Sequence, residues 1–201
     1  MRATIVLLVV LGLAGALGLW YMGAYNGIQS ADEQVTANWS EVVNQYQRRA
    51  DLIPNIVATA KAAAQQEKDV FVGVAEARAK VSQVNIRADQ VPDQATMEKF
   101  QQAQGQLTGA LGRLIAVQES YPQLKSDAIF RDTMRSLEGT ENRIATARNR
   151  YIGSVKDYNL RIRRFPGSMV ASQYGYEKKA NFSVENEKEI STAPKVDFGG
   201  K

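Results

Sequence analysis

The chain has 201 residues, 44% of them hydrophobic and 23% charged, with a net charge of +4. That length can bury one core even after an apolar N-terminal segment of about twenty residues is set aside. Histidine and cysteine are both absent, which excludes disulfides, thiol nucleophiles, His-based triads and the usual zinc sites.

The first expected element is a transmembrane anchor over residues 4-23, behind a short tail at 1-3. No charge occurs between residues 4 and 22, and Ile5, Leu7, Val10, Leu13 and Leu17 populate the run. About 18 to 20 helical residues span roughly 27–30 Å, the thickness of a hydrocarbon core. Trp20 and Tyr21 close it, where an interfacial aromatic belt belongs. A cleaved signal peptide is the rival reading. Ala14-Gly15-Ala16 lies too early for cleavage, however, and Leu17 continues the apolar run. A single-pass helix in the bacterial cytoplasmic membrane is therefore expected. Arg2 flanks one end, and Asp32, Glu33 and Glu41 follow the other. The positive-inside rule then holds the N-terminus in the cytoplasm and the rest of the protein outside.

Residues 25-166 read as an all-α antiparallel bundle. From a start near Tyr25, the residues Ile28, Val35, Trp39, Val42 and Tyr46 recur at helical spacing. In phase with them come Ile53, Val57, Ala60, Ala64, Phe71, Val74 and Val81. Pro54 lies inside this stripe, so the long first soluble helix should be kinked or broken there. Residues 85–92 form a connector, and Pro92-Asp93 can open the next helix. That helix carries Met97, Phe100, Leu107, Leu111 and Leu114, beside a strip of Gly105, Gly109 and Gly112 that suggests a closely approaching neighbour. After Tyr121-Pro122, a heptad-like series runs from Phe130 through Met134, Leu137, Ile144, Tyr151, Val155, Tyr158 and Ile162 to Phe165. Phe165-Pro166-Gly167 stops it.

Arg49, Glu67, Arg78, Glu141 and Arg148 interrupt the apolar seams. Charges there must pair across helices or edge toward water, because isolated buried charge is costly. A partly buried ion-pair set that fixes helix register is one reading, and a solvated flank is the other. Residues 167-201 form an aromatic and then polar tail, expected to be partly disordered beyond Val184. Its aromatic part, with Tyr174, Tyr176 and Phe182, is expected to dock on its own bundle.

These residues resemble the bacterial LemA family. The resemblance rests on Tyr25-Asn26, on Trp39, and above all on the signature Arg48-Arg49-Ala50-Asp51-Leu52-Ile53-Pro54-Asn55. It continues through Glu67, Ala77-Arg78, Tyr121-Pro122, the string Leu137-Glu138-Gly139-Thr140-Glu141-Asn142-Arg143-Ile144, Arg148, Tyr151, Tyr158-Asn159 and Phe165-Pro166. Membership implies an N-terminal transmembrane helix followed by a four-helix bundle, and no accepted reaction. It also implies a small extracytoplasmic N-terminus, opposite to the orientation that the flanking charges give.

The leading functional expectation is a non-enzymatic interaction or scaffold module of the cell envelope, with no catalytic residue, metal or cofactor. Its partners would be the lipid bilayer, through the N-terminal helix, and a homo-oligomer or another membrane protein. A carboxylate-dependent enzyme or metal-binding bundle is the alternative. Glu138 and Glu141 are the notable carboxylate pair, but di-metal bundles need Glu-x-x-His motifs. A third reading is binding of anionic lipid or nucleic acid through Arg161, Arg163 and Arg164. Nucleic acid is not expected, because most basic residues are interspersed with acidic ones.

Overall fold

A computed structural model describes residues 2–183, and among these residues the structure is helical with no strand. The tail expectation beyond Val184 falls outside the described residues. The helices are α1 (Arg2–Ala63), α2 (Lys68–Gln83), α3 (Gln94–Ser120), α4 (Pro122–Ser126), α5 (Ala128–Arg163) and α6 (Gly167–Tyr174).

No break separates the apolar segment from the helical body. α1 runs 62 residues, about 93 Å at 1.5 Å per residue. Its N-terminal portion is the one helix among the described residues long and apolar enough to cross a membrane, and none of that window is buried. Tyr21, Ala24 and Tyr25 are the first residues to pack against the apolar core, and Ile28 is the first to be fully buried. A new helix does not begin near Tyr25; the core stripe simply takes over where the apolar run ends.

Pro54 neither breaks α1 nor ends it. The chain reverses ten residues later, at residues 64–67, where Glu67 donates its amide to the Ala64 carbonyl at 3.1 Å. The reversal lies at the end of the core rather than in its middle. It sends α2 back toward the anchor, while α3 returns and α5 descends again, with α1 lying along α5 and α2 along α3. Local signals set the other ends. Asp93 accepts from the Thr96 amide to start α3, and Asp127 accepts from the Phe130 amide to start α5, each satisfying a donor that the first turn leaves free.

The stripes pack as their spacing predicts, with two corrections. Phe165 is 68% exposed, because α5 ends at Arg163 and Phe165 turns out to meet Trp20 at a ring separation of 5.2 Å. Gly109 and Gly112 face open space, with no atom within 4 Å of where a Cβ would sit. No close helix approach occurs at these two positions among the described residues, since both lie on the exposed face of α3.

The segment after Pro166 first forms α6, which lies across the foot of the body. A Cβ on Gly167 would collide with the Arg161 carbonyl, so the corner between α5 and α6 admits only glycine. Gly175, at φ 71°, then ends α6 in the left-handed conformation. Beyond it, residues 176–183 run as an irregular strap along the bundle.

Candidate functional site

Two apolar clusters fill the helical body, and a polar layer separates them. The anchor-proximal cluster includes Ile28, Val35, Trp39, Tyr46, Phe100, Tyr151 and Tyr158. The distal one includes Ile56, Val74, Leu107, Leu114 and Phe130. Between them lie Arg49, Gln104 and Thr140, the three buried polar or charged residues among those described. Each occupies a core position of its own helix. Arg49 falls between Tyr46 and Ile53, Gln104 between Phe100 and Leu107, and Thr140 between Leu137 and Ile144.

Arg49 is the centre of the layer, with 2% of its surface exposed. Its Nη1 donates to Thr108 Oγ1 and to Glu141 Oε1, both at 3.0 Å, and its Nη2 donates to Gln104 Oε1. The guanidinium lies 5.0 Å from the Tyr46 ring centroid. Thr108 donates in turn to the Gln104 carbonyl at 3.0 Å, and Thr140 to the Ser136 carbonyl at 2.8 Å. Arg49 Nε has no partner among the described residues. The Glu141 side chain is 41% exposed, so this ion pair joins a buried cation to a half-solvated anion. A cavity of about 540 Å³ opens beside it, lined in part by Tyr46, Arg49, Glu141, Arg148 and Phe182. Burial pushes the Tyr46 phenol up, against the lowering pull of Arg148 and Arg49. The phenol beside the guanidinium therefore stays protonated and is no base.

The five charges expected on the seams do not form one set. Arg49 and Glu141 pair. Arg148 lines the same cavity, but its guanidinium stacks over the Phe182 ring at 4.5 Å. Glu67 is at the distal turn, where it accepts from the Tyr121 hydroxyl at 3.1 Å. Arg78 is exposed and donates from Nε to the Ala50 carbonyl at 3.4 Å. That contact has a local cause. Ala50 is four residues before Pro54, which lacks an amide hydrogen, so the Ala50 carbonyl has lost its helical donor. Arg78 supplies a long substitute from α2. Of the remaining signature residues, Leu52 is half-buried, while Arg48, Asp51, Pro54 and Asn55 lie exposed.

The strap covers the other side of the aromatic cluster. Tyr151 donates to the Ala180 carbonyl at 2.7 Å, and Asn159 exchanges two bonds with Lys179. Phe182 lies edge-on to Tyr151 at 5.5 Å and 6.2 Å from Trp39. Lys179 pairs with half-buried Asp32 at 2.7 Å. Burial raises the Tyr151 phenol above its ordinary range. The Tyr158 phenol is raised to about 12, first by burial and then by Asp32.

Reasoning from charge alone overlooks Gln104, Thr108 and Thr140, although Gln104 and Thr140 stand in phase with the stripes. No group of three acidic, histidine or cysteine side chains among the described residues could hold a metal. Glu141 turns to Arg49 while Glu138 is exposed, so the two carboxylates do not converge.

The LemA family model matches residues 38–198. The chain belongs to the LemA family. Its relatives include the magnetosome proteins MamQ 1 and MamQ 2 of Paramagnetospirillum magneticum, each 28% identical across 79% of this chain. MamQ of Magnetospirillum gryphiswaldense is 27% identical over the same share. The alignment spans 64% of the length of each of these curated relatives. Within the family match fall the buried Arg49, the Arg78–Ala50 contact and the docked strap.

Proposed function

We propose that this LemA protein is a single-pass membrane protein whose four-helix bundle serves as a non-enzymatic interaction or scaffold module of the bacterial cell envelope. One observation carries the reading. The N-terminal third of α1 is apolar and wholly uncovered, yet it is the same unbroken helix that supplies Trp39, Arg49 and Ile56 to the body. Uncovered apolar surface on this scale calls for a lipid bilayer, and a continuous helix transmits the position of one part to the other. The polar layer supports a structural role. Its guanidinium is occupied by Thr108, Glu141 and Gln104. The relatives' names mention a magnetosome and no reaction.

The partner would be a second copy of the chain or another membrane protein. Cross-linking in native membranes followed by mass spectrometry should recover one or the other. A protein that stays monomeric with no enriched partner would count against the scaffold, and release by alkaline carbonate would count against the anchor. The charges flanking α1 favour a bundle outside the cytoplasm, whereas the family resemblance favours one inside. The chain has no cysteine, so Ile129→Cys on the exposed distal end of α5 can be probed cleanly. Labelling by an impermeant thiol reagent in intact cells supports the outside location, and protection until lysis overturns it.

A further inference from the structure

Where the anchor meets the body, the structure forms a cavity of about 470 Å³. Its base is the small-residue face of α1, Gly23, Ala24 and Gly27, and Trp20 lies at its membrane end. Arg161, Arg164 and Phe165, from the corner between α5 and α6, supply the other wall. The absence of a side chain at Gly27 is what lets Arg161 in. A Cβ there would come within 3.3 Å of Arg161 Nη1, so that guanidinium lies directly over the α1 backbone.

The charges are mixed but not balanced. Asp157 also lines the cavity and accepts from Arg161 Nε at 2.8 Å. The Arg164 side chain makes no hydrogen bond or ion pair among the described residues, although its backbone bonds to Leu160 and Ser168. Two arginines against one aspartate leave a single positive charge, which suits a monoanionic phosphate diester. Height along the membrane normal decides the source of that phosphate. Gly27 is seven residues beyond Trp20, about 10 Å along a helix. The headgroup layer extends roughly 5–8 Å beyond the hydrocarbon core on each side, and Trp20 belongs at its inner edge. The cavity therefore spans the depth at which lipid phosphates lie. Phe165 and Met169, 68% and 58% exposed, flank it with uncovered apolar surface, as expected of a surface resting in the interface.

We propose that this cavity binds the phosphate of an anionic phospholipid, seating the foot of the bundle on the membrane. The proposal rests on α1 being a membrane anchor. A lipid source is favoured over free phosphate because the cavity has apolar walls of Trp20 and Phe165 on its membrane side.

The test uses the full chain in nanodiscs of mixed phosphatidylcholine and phosphatidylglycerol, followed by native mass spectrometry of the released protein. Retained phosphatidylglycerol is expected, falling about fivefold for each of Arg161→Gln and Arg164→Gln, the equivalent of about 1 kcal/mol per arginine near an anionic surface. Gly27→Leu, which fills the cavity while keeping both arginines, should have a similar effect without loss of helical circular dichroism. Arg135→Gln, exposed near the distal end of α5, should retain lipid as the unaltered protein does. Equal retention of both lipids, unaffected by these variants, overturns the proposal. So does displacement of the lipid by millimolar glycerol 3-phosphate, which would make this a site for soluble phosphate. A polarity-sensitive label on Val10→Cys and Met169→Cys separates the two layers of the argument. Val10 in hydrocarbon with Met169 in bulk water leaves the anchor standing and removes the seat. Both in water removes both.

Discussion

The two halves of the helical body fill similar spaces with different chemistry. Near the apolar segment of α1, Phe100 meets Trp39 and Tyr46 edge to face, Tyr151 lies tilted against Trp39, and the strap adds Phe182. Beyond the polar layer, the distal half is mostly aliphatic, with Phe71 and Phe130 as its buried aromatics. Aliphatic packing needs only volume and phase. The aromatic half also needs acceptors for its polar edges, and they come from irregular backbone. Trp39 Nε1 donates to the Arg87 carbonyl at 2.8 Å in the connector before α3, and Tyr151 donates to Ala180 in the strap. The half nearer the apolar segment of α1 is thus tied to two non-helical segments, whereas the distal half is held by helix-on-helix contact.

Trp39→Ala should separate the halves most strongly. The loss is expected to be about 3–5 kcal/mol for a buried tryptophan, with residues 179–183 losing hydrogen-exchange protection at the same time. Ile56→Ala, fully buried in the distal cluster, should cost about 2–5 kcal/mol and leave the strap protected. If the strap amides respond equally to both, the halves are a single unit.

The layer between them can be tested next. Glu141→Gln keeps an acceptor for Arg49 but removes the countercharge. Urea unfolding should show a loss of about 2–3 kcal/mol, below the range for a fully buried pair because Glu141 is partly solvated. Replacing both residues with leucine should restore much of that loss. If the layer sets register, the double variant should also show a less uniquely packed core, read as broadened side-chain NMR signals.

A smaller effect links α2 to the proline turn of α1. Arg78→Ala should cost about 1 kcal/mol in the unaltered chain and almost nothing beside Pro54→Ala, where residue 54 can donate to Ala50 itself. Additive losses would show that Arg78 acts elsewhere.

The smallest effect appears with pH. A phenol whose pKa is raised on folding holds its proton more tightly in the folded state. The Tyr158 contribution to stability should be level below pH 10 and fall as pH rises from 10 toward about 12. In Tyr158→Phe this alkaline decline in Tm should be shallower.

Much of the body was legible from periodicity, because a helix that buries one face repeats apolar residues at three and four. The apolar run of α1, the stripes of α3 and α5, and the start at Asp93 follow from side-chain size and local hydrogen bonding. Pro54 left two outcomes open, a kinked helix or a broken one, and α1 runs through it unbroken. Its penalty is a lost hydrogen bond, and whether that breaks a helix depends on what else can donate, here Arg78 from another element. The reversal at residues 64–67 was hidden because Ala64 and Phe71 are seven residues apart, so the stripe stays in phase across the turn.

The sequence by itself determined that this LemA protein is helical, that its N-terminal helix is a candidate membrane span, and that seam charges such as Arg49 would need partners. Only the tertiary structure decided which partners. Arg49 met Glu141, Gln104 and Thr108 because three core stripes place their polar positions at one height. Arg161 and Arg164 came to the foot of the anchor because α5 runs antiparallel to α1. Those meetings depend on the relative direction of helices far apart in the chain, which the periodicity of any one helix does not encode.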